Sequence, residues 1–247
     1  MSSALSAIGI IPARFASTRF PQKVIAPLNG KPMVQFIWEA ASHAKSLGGV
    51  KVAVDHEEVF KAVERFGGEA VMTPSELPSG SDRVAFVAKN IDADIVVNLQ
   101  ADEPLLSSAA IDSLVELLRN HPDLDMATLV VRKKDTQGLE DPQVVKCVAS
   151  ASQRALYFSR KPLCSNVEGE FLKHIGIYAY RKKALMAISK LPPSPLELTE
   201  KLEQLRALEN GLSIGVCFIS DDTLAVDVPS DLEKVERVLR AKPRVVV

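Results

Sequence analysis

The sequence has few cysteines, few aromatic residues and no excess of charge of either sign. Its 247 residues include three cysteines, none in a CxxC pair or a Cys/His cluster, which excludes a disulfide framework and the usual zinc motifs. Lys and Arg number 30 against 31 Asp and Glu, a formal net charge of −1. Without a basic field we expect no nucleic-acid binding, and any anion site must be local. Reduced thiols in a cytoplasmic protein are the expected state.

Long apolar segments and glycine-rich phosphate motifs are also missing. No stretch approaches the ~20 apolar residues of a membrane span, and the first residues lack the basic and apolar regions of a signal peptide. We therefore expect no membrane association. The patterns GxGxxG and GxxxxGK[ST] do not occur, which argues against a dinucleotide fold and a P-loop. What remains is a chain with 47% hydrophobic residues, long enough to bury a core.

Apolar runs alternate with amphipathic segments over the first half of the chain. The spacing predicts strands at 7–11, 50–54, 70–72 and 95–99, and helices at 33–47, 56–66, 81–90 and 107–121. This repeated order of strand and helix predicts an α/β fold with a doubly wound, mostly parallel sheet. In such sheets, ligands bind beyond the carboxyl ends of the strands.

After residue 126 the pattern changes to strands with little helix between them. Strands are predicted at 126–131, 144–149, 155–158, 173–180 and 214–219, and helices near 182–189, from Pro195 to about 209, and at about 229–240. We interpret residues 1–247 as a single domain in which about 126–190 form a smaller β-rich lobe.

The loop after the first strand is rich in positive charge. The strand ends at Pro12, and the next eleven residues contain Arg14, Arg19 and Lys23, two hydroxyl side chains and no carboxylate. Arginine offers a planar fork of donors and lysine a mobile point charge, and polyphosphates are bound by several such groups. The loop is predicted to bind phosphate; the alternative is a solvated basic loop without function.

Two aspartates, Asp102 and Asp227, occur in the same local setting. Each follows a predicted apolar strand and lies two residues before a proline. Mg²⁺ is usually bound by one or two carboxylates together with substrate phosphates, so the pair is a candidate metal site. The alternative is that both aspartates only cap helices or stabilise turns.

Further polar residues are candidates for a sugar site. His174 and Tyr178 share one face of a predicted strand, and Glu203 and Gln204 lie within a predicted helix. A packed histidine and tyrosine, and a surface pair of Glu203 with Arg206, are the structural alternatives. In the loop Ser79–Arg83, a helix start would offer free N–H groups to an anion.

Ten segments, in order along nearly the whole chain, carry a more specific pattern. They are Ile11–Lys23, Asn29–Met33, Asp55–Glu57, Phe66–Gly68, Ser79–Arg83, Asn98–Pro104, Ala155–Arg160, His174–Tyr180, Leu202–Arg206 and Val226–Pro229. Together they strongly resemble the CMP-Kdo synthetase (3-deoxy-manno-octulosonate cytidylyltransferase) family. The chain departs from the family where Gln22 and Ala101 replace common glycines, where Cys164 replaces a proline, and in the segment before Asp227.

The resemblance implies an activity. A nucleotidyltransferase of Rossmann-like α/β fold would transfer the CMP group from CTP to 3-deoxy-D-manno-octulosonate (Kdo), releasing pyrophosphate and activating Kdo for lipopolysaccharide biosynthesis. It would require Mg²⁺ and form a homodimer through the β-rich lobe. The alternatives are a cytidylyltransferase for another acidic sugar, such as sialic acid, and a nucleotide-sugar binding protein without turnover.

The resemblance also implies a role for individual residues. Those implied as catalytic are Arg14, Lys23 and Asp102. Those implied as nucleotide ligands are Arg14, Ser17, Arg19, Lys23, Ser79, Gly80, Ser81, Arg83 and Gln100. Those implied as sugar ligands are Gln100, Arg160, His174, Tyr178, Glu203 and Gln204. The implied Mg²⁺ ligands are Asp102 and Asp227.

Overall fold

The computed structural model describes residues 5–17, 20–163, 170–220 and 222–241. The strands are β1 (Ala7–Ala13), β2 (Pro27–Leu28), β3 (Lys31–Pro32), β4 (Val50–Val54), β5 (Glu69–Met72), β6 (Ile95–Asn98), β7 (Met126–Lys134), β8 (Lys146–Ala149), β9 (Ala155–Ser159), β10 (Glu170–Arg181) and β11 (Ile214–Ile219). The helices are α1 (Met33–Ser42), α2 (Glu57–Arg65), α3 (Gly80–Ala88), α4 (Ser108–Asn120), α5 (Thr136–Glu140), α6 (Lys182–Ile188), α7 (Pro195–Glu200), α8 (Gln204–Glu209) and α9 (Pro229–Ala241), with a 3₁₀ helix at Lys23–Ile25.

The nine strands predicted by residue range are all present. The apolar segment expected to form a strand before Asp227 has no regular secondary structure, and two helix predictions are also wrong. α1 ends at Ser42 and not at 47, because the chain tightens into a turn with Ala44 N donating to Ala41 O at 3.1 Å. The single helix predicted from Pro195 to about 209 is two helices. Lys201, between them, adopts a left-handed backbone conformation with φ of 56°, which ends α7.

One compact unit, here called the amino-terminal unit, is built mainly from Ile8–Ile91, Asn98–Ile111 and the residues from Thr223 onward. β1 pairs in parallel with β4, and β4 pairs in parallel with β5. Leu99, directly after β6, donates its N–H to Ile10 O at 3.0 Å. Parallel strands end at the same edge, so the loops after β1, β4 and β5 begin side by side.

The other compact unit, here called the β-rich unit, is built mainly from Asp92–Val97 and Asp112–Asp222. β7 pairs antiparallel with β10 and in parallel with β11, while β8 pairs antiparallel with both β10 and β9. The predicted lobe at 126–190 lies within this unit. The predicted α/β class, with parallel strands and a smaller antiparallel part, is confirmed.

The two cysteines within the described ranges are buried free thiols. Burial raises the pKa of Cys147 to about 12 and that of Cys217 to about 11, so neither thiol ionises at neutral pH. Cys164 lies outside the described residues. No helix in the described part of the chain is long and apolar enough to cross a membrane.

Candidate active site

A cavity of about 350 Å³ lies beyond the carboxyl end of β1 in the amino-terminal unit. We call it the strand-end cavity. Its lining includes six residues predicted as ligands: Arg14, Ser17, Lys23, Gly80, Gln100 and Asp102. Pro12, Ala16, Val24 and Ala101 complete it. Residues from three segments that are distant in sequence, 12–24, Gly80 and 100–102, therefore meet around one cavity. The predicted ligand Arg19 lies outside the described residues.

The ammonium group of Lys23 lies beside both predicted metal-binding carboxylates. Its Nζ is 2.6 Å from Asp102 Oδ2 and 3.7 Å from Asp227 Oδ1. The two segments are joined directly, because Val226 N donates to Asp102 O at 2.9 Å. Two aspartates that are 125 positions apart in sequence thus share one cation.

This arrangement fits Mg²⁺ bound with substrate. In the described ranges, no three His, Cys, Asp or Glu side chains form a group that could hold a metal ion by themselves. Mg²⁺ commonly takes one or two carboxylates and completes its shell with substrate phosphates and water. Asp102 and Asp227 supply that minimal set of donors at the edge of the cavity.

The backbone conformation at Gln22 explains why glycine is common at this position in the family. Gln22 has φ of 56° and ψ of 25°, the left-handed region in which glycine is the least strained residue. The chain then enters the 3₁₀ helix Lys23–Ile25, with Lys23 N donating to Phe20 O at 3.2 Å. Gln22 therefore keeps the turn that places Lys23, at a modest cost in backbone strain.

The start of α3 forms another wall of the cavity. Ser79 caps this helix: its Oγ accepts from Asp82 N at 3.1 Å and donates to Asp82 Oδ2 at 2.7 Å. Gly80 faces the cavity, and a Cβ there would lie 3.4 Å from the Pro12 ring. Ser79 is therefore the N-cap of α3, and a Cβ at position 80 would make an ordinary van der Waals contact with Pro12.

A chain of polar side chains leads from Ser81 to Gln100. Gln100 Nε2 donates to Asn98 Oδ1 at 3.2 Å, and Asn98 Nδ2 lies 3.5 Å from Ser81 Oγ. Asn98 is fully buried. These contacts orient the Gln100 amide where it lines the cavity.

Among the predicted nucleotide ligands that lie in the described ranges, Arg83 alone has a fully buried side chain. Its guanidinium donates to Asp55 Oδ2 and Pro74 O, both at 3.1 Å, and also to Thr73 Oγ1. Burial lowers the pKa of Arg83, and the Asp55 carboxylate acts in the opposite direction. Sequence reasoning assigned no role to Asp55, although it follows β4 directly, the same signal that identified Asp102.

In the β-rich unit, two predicted sugar ligands are in contact. The rings of His174 and Tyr178 have centroids 5.5 Å apart. The predicted alternation along β10 is interrupted by a bulge between Ile175 and Tyr178. Burial raises the pKa of Tyr178 well above its usual value, and Tyr180 and Glu203 add to this shift. The bulge, which the sequence pattern did not predict, thus brings the two rings together within a buried cluster.

The protonation of His174 follows from its surroundings. Thr128 Oγ1 donates to Ile177 O at 2.9 Å, so it accepts from His174 Nε2, which lies 3.0 Å away. Burial lowers the pKa of His174 to about 3. The imidazole is therefore neutral at physiological pH and carries its proton on Nε2.

Uncharged backbone carbonyl oxygens hold the guanidinium group of Arg160. Its guanidinium donates to Glu200 O at 3.0 Å, Pro142 O at 3.1 Å and Lys201 O at 3.4 Å. The Glu200 carboxylate instead accepts from Arg160 N at 3.0 Å and from Ser159 Oγ at 3.1 Å. The charge of Arg160 is thus positioned by carbonyl groups and can attract the carboxylate of an acidic sugar.

The predicted position of Glu203 and Gln204 in mid-helix is wrong, because they begin α8. Glu203 is exposed and precedes the first turn, whereas Gln204 is 6% exposed. The Gln204 Nε2 atom is buried and has no hydrogen-bond partner among the described residues. An unsatisfied buried donor costs about 1–3 kcal/mol, so this amide is placed to receive a ligand oxygen.

Comparison with known proteins identifies the family. The sequence model of the family described as cytidylyltransferase matches residues 8–214. The chain belongs to the cytidylyltransferase family. A 3-deoxy-manno-octulosonate cytidylyltransferase from Geobacter sulfurreducens is 45% identical over 245 residues, covering 94% of this chain and 98% of the relative. The family predicted from the ten segments is therefore confirmed.

A second sequence relative and a solved structure are also similar to this chain. An 8-amino-3,8-dideoxy-manno-octulosonate cytidylyltransferase from Shewanella amazonensis is 44% identical over 238 residues, covering 94% of this chain and 97% of the relative. The solved structure of a CMP:2-keto-3-deoxy-manno-octonic acid synthetase complexed with CTP superposes with a TM-score of 0.90 at 39% identity, covering 95% and 98% of the two chains. The predicted nucleotidyltransferase fold is confirmed by this superposition.

The buried neutral state of this cytidylyltransferase's His174 predicts a pH effect on stability. The folded pKa of about 3 lies below an unfolded value of about 6.5. The contribution of His174 to the free energy of unfolding is therefore fully present above pH 6.5 and is lost as the pH falls toward 3. Between pH 7.5 and pH 5.0 this group should remove about 2 kcal/mol of unfolding free energy. Urea unfolding at the two pH values measures this change. From pH 7.5 to pH 5.0, the unfolding free energy of His174→Gln should fall by about 2 kcal/mol less than that of the wild type, and equal decreases would contradict the prediction.

Proposed function

We propose that this chain transfers the cytidylyl group of CTP to Kdo, giving CMP-Kdo and pyrophosphate. The observation that carries the proposal is the position of Lys23 beside Asp102 and Asp227, in a cavity that Arg14 also lines. Cations next to paired carboxylates can bind a triphosphate together with a divalent ion, which a protein that only recognised a sugar would not need. The relatives named for this reaction support the same conclusion.

The chemistry is an in-line displacement at phosphorus. The anomeric hydroxyl oxygen of Kdo forms a bond to the α-phosphorus of CTP, the bond from that phosphorus to the bridging oxygen breaks, and pyrophosphate leaves. The hydroxyl proton passes to a base or to solvent. Negative charge grows on the phosphate oxygens, so fixed donors from Arg14 and Lys23 stabilise the transition state.

Asp102 and Asp227 are the residues that would hold Mg²⁺. When bound, the ion would neutralise charge on the phosphate oxygens and help orient them. The carboxylates are already held together by Lys23 and by the hydrogen bond from Val226 to Asp102 O.

The acidic sugar is assigned to the polar groups of the β-rich unit. Arg160 supplies a positive charge for its carboxylate, and the unsatisfied amide of Gln204 supplies a donor for a sugar oxygen. Neutral His174 and un-ionised Tyr178 add uncharged polar groups. This combination fits a sugar with one carboxylate and several hydroxyls.

The test is pyrophosphate release by the purified protein with CTP and Mg²⁺. Four parallel reactions contain Kdo, 8-amino-3,8-dideoxy-manno-octulosonate, sialic acid or no sugar. The 8-amino sugar is included because its relative is almost as similar to this chain as the Kdo relatives are. We expect release with Kdo at a kcat/KM at least about tenfold above that with the 8-amino sugar. Preference for sialic acid, or binding of CTP without turnover of any sugar, would refute the proposal.

A homodimer and a cytoplasmic location belong to the same proposal. The homodimer is supported by the family resemblance of the β-rich lobe, and light scattering coupled to gel filtration would measure it. The location is supported by the substrate, because CTP is a nucleotide of the cell interior. A monomer at micromolar concentration would contradict the proposed homodimer.

A further inference from the structure

Loop 14–23 is attached to the segment after β4 by two contacts. The backbone N–H of Phe15 donates to Asp55 Oδ1 at 2.8 Å. The Phe15 ring also stacks on the His56 ring, with centroids 3.8 Å apart and planes 8° from parallel. Both contacts fix the residue next to Arg14, and therefore the point from which the Arg14 guanidinium reaches the strand-end cavity.

The other oxygen of Asp55 is held by Arg83. This pair is buried on both sides, with Arg83 Nη2 3.1 Å from Asp55 Oδ2. Arg83 also binds Thr73 and the carbonyl oxygen of Pro74, in the loop that leads to α3. Arg14 Nη1 in turn donates to Pro78 O in that loop at 3.3 Å. The two loops that line the cavity are thus linked through one buried ion pair.

We infer that Asp55 and Arg83 are positioning residues for CTP binding: Arg83 holds Asp55, and Asp55 holds the start of loop 14–23 so that Arg14 faces the phosphates. Arg83 then acts through Asp55 and the loop, without touching the nucleotide. The inference rests on the proposed function, because it assumes that the strand-end cavity binds CTP. Asp55 lies in one of the ten segments that carry the family resemblance, but neither the sequence reasoning nor the resemblance assigned it a role.

Asp55→Asn tests the inference with a nearly isosteric change. Asparagine can still accept from Phe15 N, but its amide N–H₂ group would face the Arg83 donors, so the loop should shift. Small misplacements of binding groups are costly, and we expect KM for CTP to rise at least about tenfold while KM for Kdo changes less than about twofold. Pyrophosphate release at varied CTP and varied Kdo gives both values.

The chain offers a matched control in the β-rich unit. Glu197 and Arg206 form another buried ion pair, with Arg206 Nε donating to Glu197 Oε2 at 2.7 Å. Glu197→Gln should lower the melting temperature by an amount similar to Asp55→Asn and leave KM for CTP within about twofold of wild type. A general loss of stability would move both variants alike, whereas the inferred role moves KM for CTP only in Asp55→Asn.

A second variant covers the case in which Asp55→Asn does not fold. His56 caps α2, accepting from Glu58 N at 3.2 Å, and asparagine is also a good N-cap. His56→Asn therefore keeps the cap and the buried ion pair but removes the ring that stacks on Phe15. We expect a two- to fivefold rise in KM for CTP, and an unchanged KM in this variant would overturn the inference.

Arg83→Met separates the inferred role from direct contact. If Arg83 acts through Asp55, this variant should resemble Asp55→Asn, and the double variant should be no worse than the more impaired single variant. Loss of CTP binding in Arg83→Met with normal binding in Asp55→Asn would assign Arg83 to the nucleotide and overturn the inference. Failure of the wild-type protein to turn over CTP would instead refute the proposed function.

Discussion

Asp102→Asn and Asp227→Asn are each expected to lower kcat by about a thousandfold or more, while CTP still binds. Each change removes one negative charge from the pair proposed to hold Mg²⁺, and charge neutralisation at the phosphates is the main catalytic contribution of such a site. CTP binding depends more on Arg14 and on the loops around the strand-end cavity, so its Kd should change by less than about tenfold. Single-turnover formation of CMP-Kdo measures the first quantity and calorimetry the second.

A matched carboxylate serves as the control for this prediction. Asp222 is 31% exposed against 29% for Asp102, and it also pairs with a lysine at 2.6 Å, here Lys173. It lies in the β-rich unit and has no proposed role in catalysis. Asp222→Asn should keep kcat within about threefold of wild type. Near-normal CMP-Kdo formation by either Asp102→Asn or Asp227→Asn would refute the assignment of these residues to the metal.

Lys23→Met is expected to lower kcat/KM for CTP by a factor of about 100 to 1,000. The lysine is proposed to stabilise charge on the triphosphate, and loss of one such fixed donor from an active site has an effect of this size. Its removal also leaves Asp102 and Asp227 without the cation they share. In the absence of CTP, we therefore expect the variant to bind Mn²⁺ more tightly than wild type, measured by electron paramagnetic resonance.

Lys173 provides the corresponding control. Its side chain is 18% exposed against 13% for Lys23, and each lysine lies 2.6 Å from an aspartate oxygen. Lys173→Met should change neither kcat/KM for CTP nor Mn²⁺ affinity by more than about threefold. If Lys23→Met retained wild-type kcat/KM, or bound Mn²⁺ no more tightly, Lys23 would not have the role proposed for it.

The sequence alone determined the elements of this protein and the chemistry of its loops. Hydrophobic periodicity is a local property, so all nine strands predicted by residue range were found. Polar residues after apolar segments identified Lys23, Asp102 and Asp227 as candidate ligands, although only Lys23 and Asp102 lie in loops that directly follow a strand of the structure. The ordered series of motifs then indicated the family.

The tertiary structure decided what depends on contacts between residues distant in sequence. It broke the predicted helix at Lys201, placed a bulge in β10 and buried the Gln204 Nε2 atom, which has no hydrogen-bond partner among the described residues. It also buried Arg83 against Asp55, so that a residue resembling a phosphate ligand holds a loop. A basic residue in a polar loop has the same local pattern whether it binds a ligand or a buried carboxylate, and only the folded chain distinguishes the two.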